Sequence, residues 1–244
     1  MKALVERLVA SPVFILSSIR SGSTLLRCVL DTHSRIHAPH ELHLVDLTVG
    51  MDSRFARLAM QVAQLDERKL EHLLWDRLLH RELIRSGKQL VVDKTPTNVL
   101  RWRRVAECWP EARYIFLLRH PVHVVESAIA ARPHATPTES TELVELFLTH
   151  LGEARRALTG LTVRYEDFTA HPERVSRELC EYLDVPWEAG MVEYGKRDHG
   201  PFLSGIGDFT DRIRAGRVLP GRPLPTDAEI PEGLRPLCRT LGYL

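Results

Sequence analysis

An α/β fold in three layers, with a mostly parallel central sheet and helices on both faces, is what this sequence predicts. Short continuous apolar runs, VFILS, QLVV and RYIFLL, alternate with segments of helical period, as strands buried on both faces require. Two of the helical segments open on a proline, Pro121 and Pro172, shortly after such a run, and proline fits the first position of a helix. Composition agrees: 244 residues, 44% hydrophobic and 27% charged, are ordinary for a soluble globular chain. A chain of this length buries roughly 70–75% of its unfolded surface and needs no disulfide or metal staple.

The elements follow in order. Val13 to Ser17 reads as a buried strand and Ser23 to Thr32 as a helix. Arg54 to Arg85 reads as one long helix, with Phe55, Leu58, Val62, Leu65, Leu70, Leu73, Leu74 and Leu78 at helical spacing. Gln89 to Val92 is a short strand, and Asn98 to Cys108 a helix that stops before Pro110. Arg113 to Leu118 is the strongest strand, followed by a helix from Pro121 to about Ala131. A two-proline loop, Arg132 to Thr138, leads to a helix from Ser140 to Leu158, a strand from Leu161 to Arg164 and a helix from Pro172 to Leu183. From Val185 onward the chain is rich in Gly and Pro and reads as long functional loops, not as a second domain.

Bulk properties exclude several classes. Net charge is +1, so an anion site must come from local clustering. No basic stripe with interleaved aromatics points to nucleic acid. The four cysteines, Cys28, Cys108, Cys180 and Cys238, lack metal-ligand or redox spacing and read as reduced thiols of a cytoplasmic protein. The start, MKALVERLVASPVF, is too charged for a signal peptide, and no run of 18 apolar residues suggests a membrane span. The leucine-rich helix after Arg54 fits core packing as well as a partner face, so the sequence sets no oligomeric state.

Ligands of open parallel sheets bind at the carboxyl ends of the strands. The segments after Ser17, Val92, Leu118 and Arg164 read SIRSGST, DKTP, RHPVHVVES and YEDF. They are expected to converge on one site. The first is an anion cradle: a helix start offers unpaired N–H groups and the positive dipole end. Gly22 lets the backbone approach a ligand, and Arg20, Ser21, Ser23 and Thr24 add donors. Arg119 and Ser127, eight apart, form a second grip. Together they suit a nucleotide with two separate phosphate groups. The alternative is a P-loop small-molecule kinase using Mg-ATP. Its loop would read G-x-x-x-x-G-K-[ST], whereas this one has a single glycine and no lysine after it.

These motifs resemble those of sulfotransferases that use 3′-phosphoadenosine 5′-phosphosulfate (PAPS). IRSGSTLLRCVLDTH resembles their P-loop-like phosphosulfate-binding loop and RHPVHVVESAI their 3′-phosphate motif. VRYEDFTAHPERVSRELCEYLDVPW resembles the segment whose tyrosine borders the nucleotide, here Tyr165. GIGDFTDRI is similar to the loop that closes over PAPS, which brings in Gly205 and Gly207. The likeness runs from about Pro12 to Arg217, implying one sulfotransferase domain over 1–244, with its core at about 12–217 and a loop-rich tail at 218–244. R-S-G-[ST]-T-L followed by L-D-x-H is shared with tyrosylprotein sulfotransferases, and APHELHL resembles sulfotransferase domains of polyketide synthases.

The resemblance implies transfer of a sulfonyl group from PAPS to a hydroxyl (or amine) of a small-molecule or carrier-bound acceptor. The transfer is in-line and needs a base but no metal. From spacing alone Glu41 reads as a cap or ion-pair partner; the resemblance places it where the family keeps its catalytic glutamate. His40 and His43 are the rival bases, since histidine serves in the cytosolic small-molecule enzymes. No H-E-x-x-H or similar set points to zinc. Lys94 is similar to the family lysine that offsets charge on the leaving phosphate. Arg20, Ser21, Gly22, Ser23 and Thr24 would hold the 5′ side, and Arg119 with Ser127 the 3′-phosphate. One departure stands out: where the cytosolic enzymes have Arg-Lys before the loop glycine, this chain has Leu203-Ser204. Arg212, Arg214 or Lys196-Arg197 would have to complete the clamp.

Overall fold

The computed structural model describes residues 7–199 and 211–244. Among them, β1 (Val13–Ser17), β2 (Ile36–His37), β3 (Leu90–Asp93), β4 (Arg113–Leu118) and β5 (Gly160–Arg164) form a sheet of order β2-β3-β1-β4-β5. All pairings are parallel, with Val13 opposite Val92, Ile15 opposite Ile115 and Phe116 opposite Thr162. From β1 the chain passes to the edge strand β2, returns inward to β3, and then crosses to β4 and β5 on the other side. β1 is therefore the switch point, where a crevice opens at the strand ends.

The helices are α1 (Ser23–Thr32), α2 (Arg54–Val62), α3 (Glu67–Ser86), α4 (Trp102–Cys108), α5 (Pro121–Ala131), α6 (Pro137–Ala157), α7 (Tyr165–Ala170), α8 (Pro172–Tyr182), α9 (Asp211–Arg214) and α10 (Arg235–Leu241). Alternate residues of a strand point to opposite faces, and the two central strands feed two cores. Val13, Ile15, Ile115 and Leu117 pack with Leu26, Val29 and Leu30 of α1 and Leu179 of α8. Phe14, Leu16, Phe116 and Leu118 pack with Trp75 of α3, Val105 of α4, Ala128 of α5 and Leu148 of α6. The three expected layers are present.

Several boundaries differ from the sequence reading. The expected single helix over Arg54 to Arg85 is two, α2 and α3. The break is local chemistry: Gln64 takes φ 59°, and the Asp66 side chain accepts from the Lys69 amide as a new N-cap. Trp75 and Leu79 of α3 are fully buried, whereas α2 buries none of its residues. The helix expected from Asn98 begins as a 3₁₀ turn over Pro96–Arg101, because the Asn98 side chain donates to Asp93 at 2.6 Å. The two-residue strand β2 and the short α7 are too brief for periodicity to reveal. The tail also holds more than loops: Leu234, Cys238 and Leu241 bury α10 and the turn before it against the α6 side of the core.

Histidine burial makes the fold acid-sensitive. His72 of α3 lies beside Trp75, with ring centroids 5.3 Å apart, and burial pushes its imidazole down to about 4. An unfolded histidine binds a proton near pH 6.5. Between those values the unfolded chain holds more protons, so stability present above pH 6.5 is lost as pH falls toward 4. The loss is on the order of 3 kcal/mol once the ring is forced to charge. Urea midpoints at pH 7.5 and 4.5 are expected to converge in His72→Gln relative to wild type. An unchanged slope would move the acid lability to His120 and His123, whose rings burial also pulls down.

Candidate functional site: a paired anion cradle and carboxylate pocket

The turn after β1 is built to face a ligand. Arg20 has φ 59° and Gly22 has φ 87°, so the chain reverses through left-handed backbone and enters α1 with Gly22 as N-cap. Leu26 N donates to Gly22 O at 3.2 Å, closing the first helical turn. Ser21 is fully buried, and its Oγ has no hydrogen-bond partner among the described residues. A buried hydroxyl is costly to leave unpaired, and this one is free to donate into the turn.

Tyr165, the first residue of α7, lies against Gly22. A Cβ built on Gly22 would come within 2.4 Å of the ring atoms Cδ2 and Cε2. The Arg119 guanidinium sits over the same ring, 4.6 Å from its centroid, and Arg119 Nη1 donates to the Arg20 carbonyl at 2.8 Å. Its Nε is buried without a partner among the described residues. Arg20 Nε in turn donates to Ser127 Oγ at 3.2 Å. The ends of β1 and β4 and the helix α5 are thereby tied together. Burial works against the Arg119 charge, which Tyr165 and Glu166 favour.

Around this group opens a cavity lined by Arg20, Gly22, Arg119, Ser127, Tyr165, Arg212 and Arg222. Arg212, one of the clamp candidates the sequence offers, lies in α9. Its Nη2 donates to the Leu219 and Pro220 carbonyls at 3.1 and 2.5 Å, bracing the turn that carries Arg222. Arg222 was not anticipated: it sits in a Gly-Pro stretch without a motif, and only the fold brings it to Glu126 of α5, at 2.6 Å. Lys196 pairs instead with Glu193. Gly205 and Gly207 lie outside the described residues.

A second cavity shares Arg20, Gly22, Leu25 and Ile213 with the first. Ser23, Thr24, Glu41, His43, Thr97 and Phe147 also line it. Glu41 is buried and forms an ion pair through Oε1 with Lys94 Nζ, while Oε2 lies 3.3 Å from His43 Nε2. Lys94, just past β3, also donates to Thr24 Oγ1 at 3.3 Å, joining the carboxylate pocket to the cradle. Burial pulls the Lys94 ammonium down, against the attraction of Glu41. Asp93 behind it accepts from Thr95 and Asn98 at 3.1 and 2.6 Å and fixes the turn; burial pushes its carboxyl up. His40 is exposed and lines neither cavity. Among the described residues no group of three or more His, Cys, Asp or Glu is placed to hold a metal, and no helix is long and apolar enough to cross a membrane.

Residues 12–189 match the sequence profile of the Sulfotransferase family. The chain belongs to that family. Protein-tyrosine sulfotransferase 1 of Danio rerio is 24% identical over 220 residues, 82% of this chain and 61% of the relative. The Drosophila melanogaster protein-tyrosine sulfotransferase is 22% identical, over 82% of this chain and 44% of the relative. The chain thus spans only 44–61% of these relatives' length. In fold it is similar to the sulfotransferase domain from the curacin biosynthetic pathway, with TM-score 0.72, 23% identity and coverage of 98% of this chain and 99% of that one. The sulfotransferase domain from the Synechococcus PCC 7002 olefin synthase matches with the same TM-score and identity, over 99% of this chain and 98% of that one. This sulfotransferase membership does not favour the Mg-ATP kinase alternative.

Proposed function

We propose that this sulfotransferase moves the sulfonyl group of PAPS onto an acceptor hydroxyl (or amine), small-molecule or carrier-bound, with Glu41 as base. The observation that carries the reading is the continuity of two cavities across Gly22: a cradle with arginines and unpaired buried donors, and a pocket with a carboxylate beside a buried lysine. The residues present fit PAPS. Ser21 Oγ, the α1 amides and Arg20 suit the 5′ side. Arg119 and Ser127 suit the 3′-phosphate, and Arg212 and Arg222, which line the same cavity, are the candidates for a second clamp. PAPS supplies an activated sulfonyl group on a phosphate leaving group.

The chain's own part is alignment and charge handling. Lys94 is placed to offset negative charge on the leaving oxygen. Its pairing with Glu41 favours the charged ammonium, against the burial that pulls it down. Glu41 faces the second cavity and takes the acceptor's proton as attack proceeds.

The test is thermal melting with 3′-phosphoadenosine 5′-phosphate, compared with AMP and with Mg-ATP. At about 100 times Kd the bisphosphate is expected to stabilise by roughly 2.7 kcal/mol, or about 5–10 °C. Arg119→Ala is expected to erase most of that shift while leaving the small response to AMP. Equal losses for both nucleotides would dissolve the second anion grip, and a shift with Mg-ATP alone would make the chain a kinase.

A further inference from the structure

A short chain of acid–base groups runs from the buried Glu41 to open solvent. His43 Nε2 lies 3.3 Å from Glu41 Oε2, and His43 Nδ1 lies 3.0 Å from Asp46 Oδ2. Side-chain exposure rises steadily along it, from 8% at Glu41 to 36% at His43 and 49% at Asp46. The imidazole is hydrogen-bonded to Asp46 through one nitrogen and turns the other toward Glu41.

The ring is also fixed from behind. His43 takes φ 48°, a left-handed conformation that is strained for a residue with a Cβ. Its amide donates to Thr95 Oγ1 at 3.2 Å, and that hydroxyl donates to Asp93 at 3.1 Å. Asp46 closes a 3₁₀ turn over Leu44–Asp46 and accepts from Thr97 Oγ1 at 3.2 Å. Strained backbone held by a hydrogen-bond series is a sign that side-chain position matters there.

We propose that His43, oriented by Asp46, carries the acceptor's proton from Glu41 to solvent. The proposal rests on Glu41 being the base. Each transfer leaves one proton on a carboxylate that is buried and whose other oxygen is occupied by Lys94. As the acceptor oxygen bonds to sulfur, the bond from sulfur to the 5′-phosphate oxygen breaks and its electron pair leaves with the phosphate. The hydroxyl proton passes to Glu41. Asp46 holds the Nδ1–H tautomer, so the Nε2 lone pair faces Glu41. The proton moves from Glu41 to Nε2, and the Nδ1 proton leaves past Asp46 to water. Exchange at the half-exposed ring edge restores the first tautomer. The charged groups facing the ring are Glu41 and Asp46, with Lys94 behind Glu41 and Asp93 behind Thr95. Asp46 is a positioning residue, and its neutral variant Asp46→Asn is expected to share the His43 phenotype in weaker form.

The experiment is steady-state turnover of the full chain with PAPS, using water (release of free sulfate) and phenol as acceptors, for wild type, His43→Ala, His43→Gln and Glu41→Gln. Binding of 3′-phosphoadenosine 5′-phosphate is measured alongside. Both His43 variants are expected to lose about 10–100-fold in kcat, below the full value of a base, with nucleotide affinity unchanged. Added imidazole is expected to restore His43→Ala in proportion to its concentration. Glutamine keeps a polar group at the Nε2 position but cannot relay a proton. Wild-type kcat in His43→Gln would therefore overturn the relay and leave His43 a prop for Glu41. An imidazole-insensitive His43→Ala would overturn it equally. Turnover retained in Glu41→Gln but lost in His43→Gln would make His43 the base itself, and so overturn the reading beneath the proposal.

Discussion

Glu41→Gln is expected to lower sulfonyl transfer by about 10²–10⁴-fold, the usual contribution of a positioned base, while nucleotide binding survives. The amide has nearly the shape of the carboxylate, so the pocket keeps its form. What changes is chemistry: the amide cannot take a proton from the acceptor. The same substitution removes the partner of Lys94, which is buried and already pulled toward neutrality by its surroundings. Breaking a buried pair from one side costs about 3–5 kcal/mol when the other charge has no relief. Here Thr24 Oγ1 at 3.3 Å offers some, and deprotonation of the lysine offers more. A lowered melting temperature is therefore part of the expected result. The bisphosphate nucleotide, by supplying anionic oxygens, should restore more stability to the variant than to wild type. Melting with and without nucleotide, beside turnover with PAPS, separates the two effects. Near-normal turnover in a folded variant would transfer the base to His43, since His40 lies exposed and away from both cavities.

Much of the fold was legible because its signals are local. VFILS and RYIFLL are apolar at all but one end position, Ser17 and Arg113, and the structure buries their apolar residues on both faces. Pro121 and Pro172 start helices where the sequence says they do. The convergence of four strand ends also followed from the sequence, because parallel topology dictates it. What escaped depends on contacts between distant segments. The break at Gln64 comes from a cap at Asp66 inside a pattern that is apolar on both sides. Arg222 reaches the cradle only through the bracing of its turn by Arg212 and the ion pair with Glu126. The ion pair between Glu41 and Lys94 joins residues on different connections of the sheet, and no spacing rule links them. Gly22 lines both cavities, and the ring of Tyr165 also lies against it, a contact that no motif announces.

That last contact sets the second large effect. Gly22→Ala is expected to weaken binding of 3′-phosphoadenosine 5′-phosphate by about 100-fold or more and to destabilise the chain by roughly 2–4 kcal/mol. Two costs add. At φ 87° a residue with a Cβ is strained, by about 1–2 kcal/mol. The new methyl would also lie 2.4 Å from two carbons of Tyr165, so the ring must swing away. The consequence spreads because the ring is shared. Arg119 stacks on it and donates to the carbonyl of Arg20, and the Arg20 side chain donates through Nε to Ser127 Oγ. Displacing the tyrosine is therefore expected to loosen both of the proposed phosphate grips at once, although neither arginine has been changed. The double variant Gly22→Ala, Tyr165→Ala separates the terms. Removing the ring relieves the collision but not the backbone strain, so part of the lost stability should return while nucleotide affinity stays low. Titration calorimetry with the bisphosphate and urea unfolding of the two single variants and the double variant measure both. Normal affinity in Gly22→Ala would mean that the cradle tolerates a shifted Tyr165 and that the ring plays no part in holding the 3′-phosphate grip.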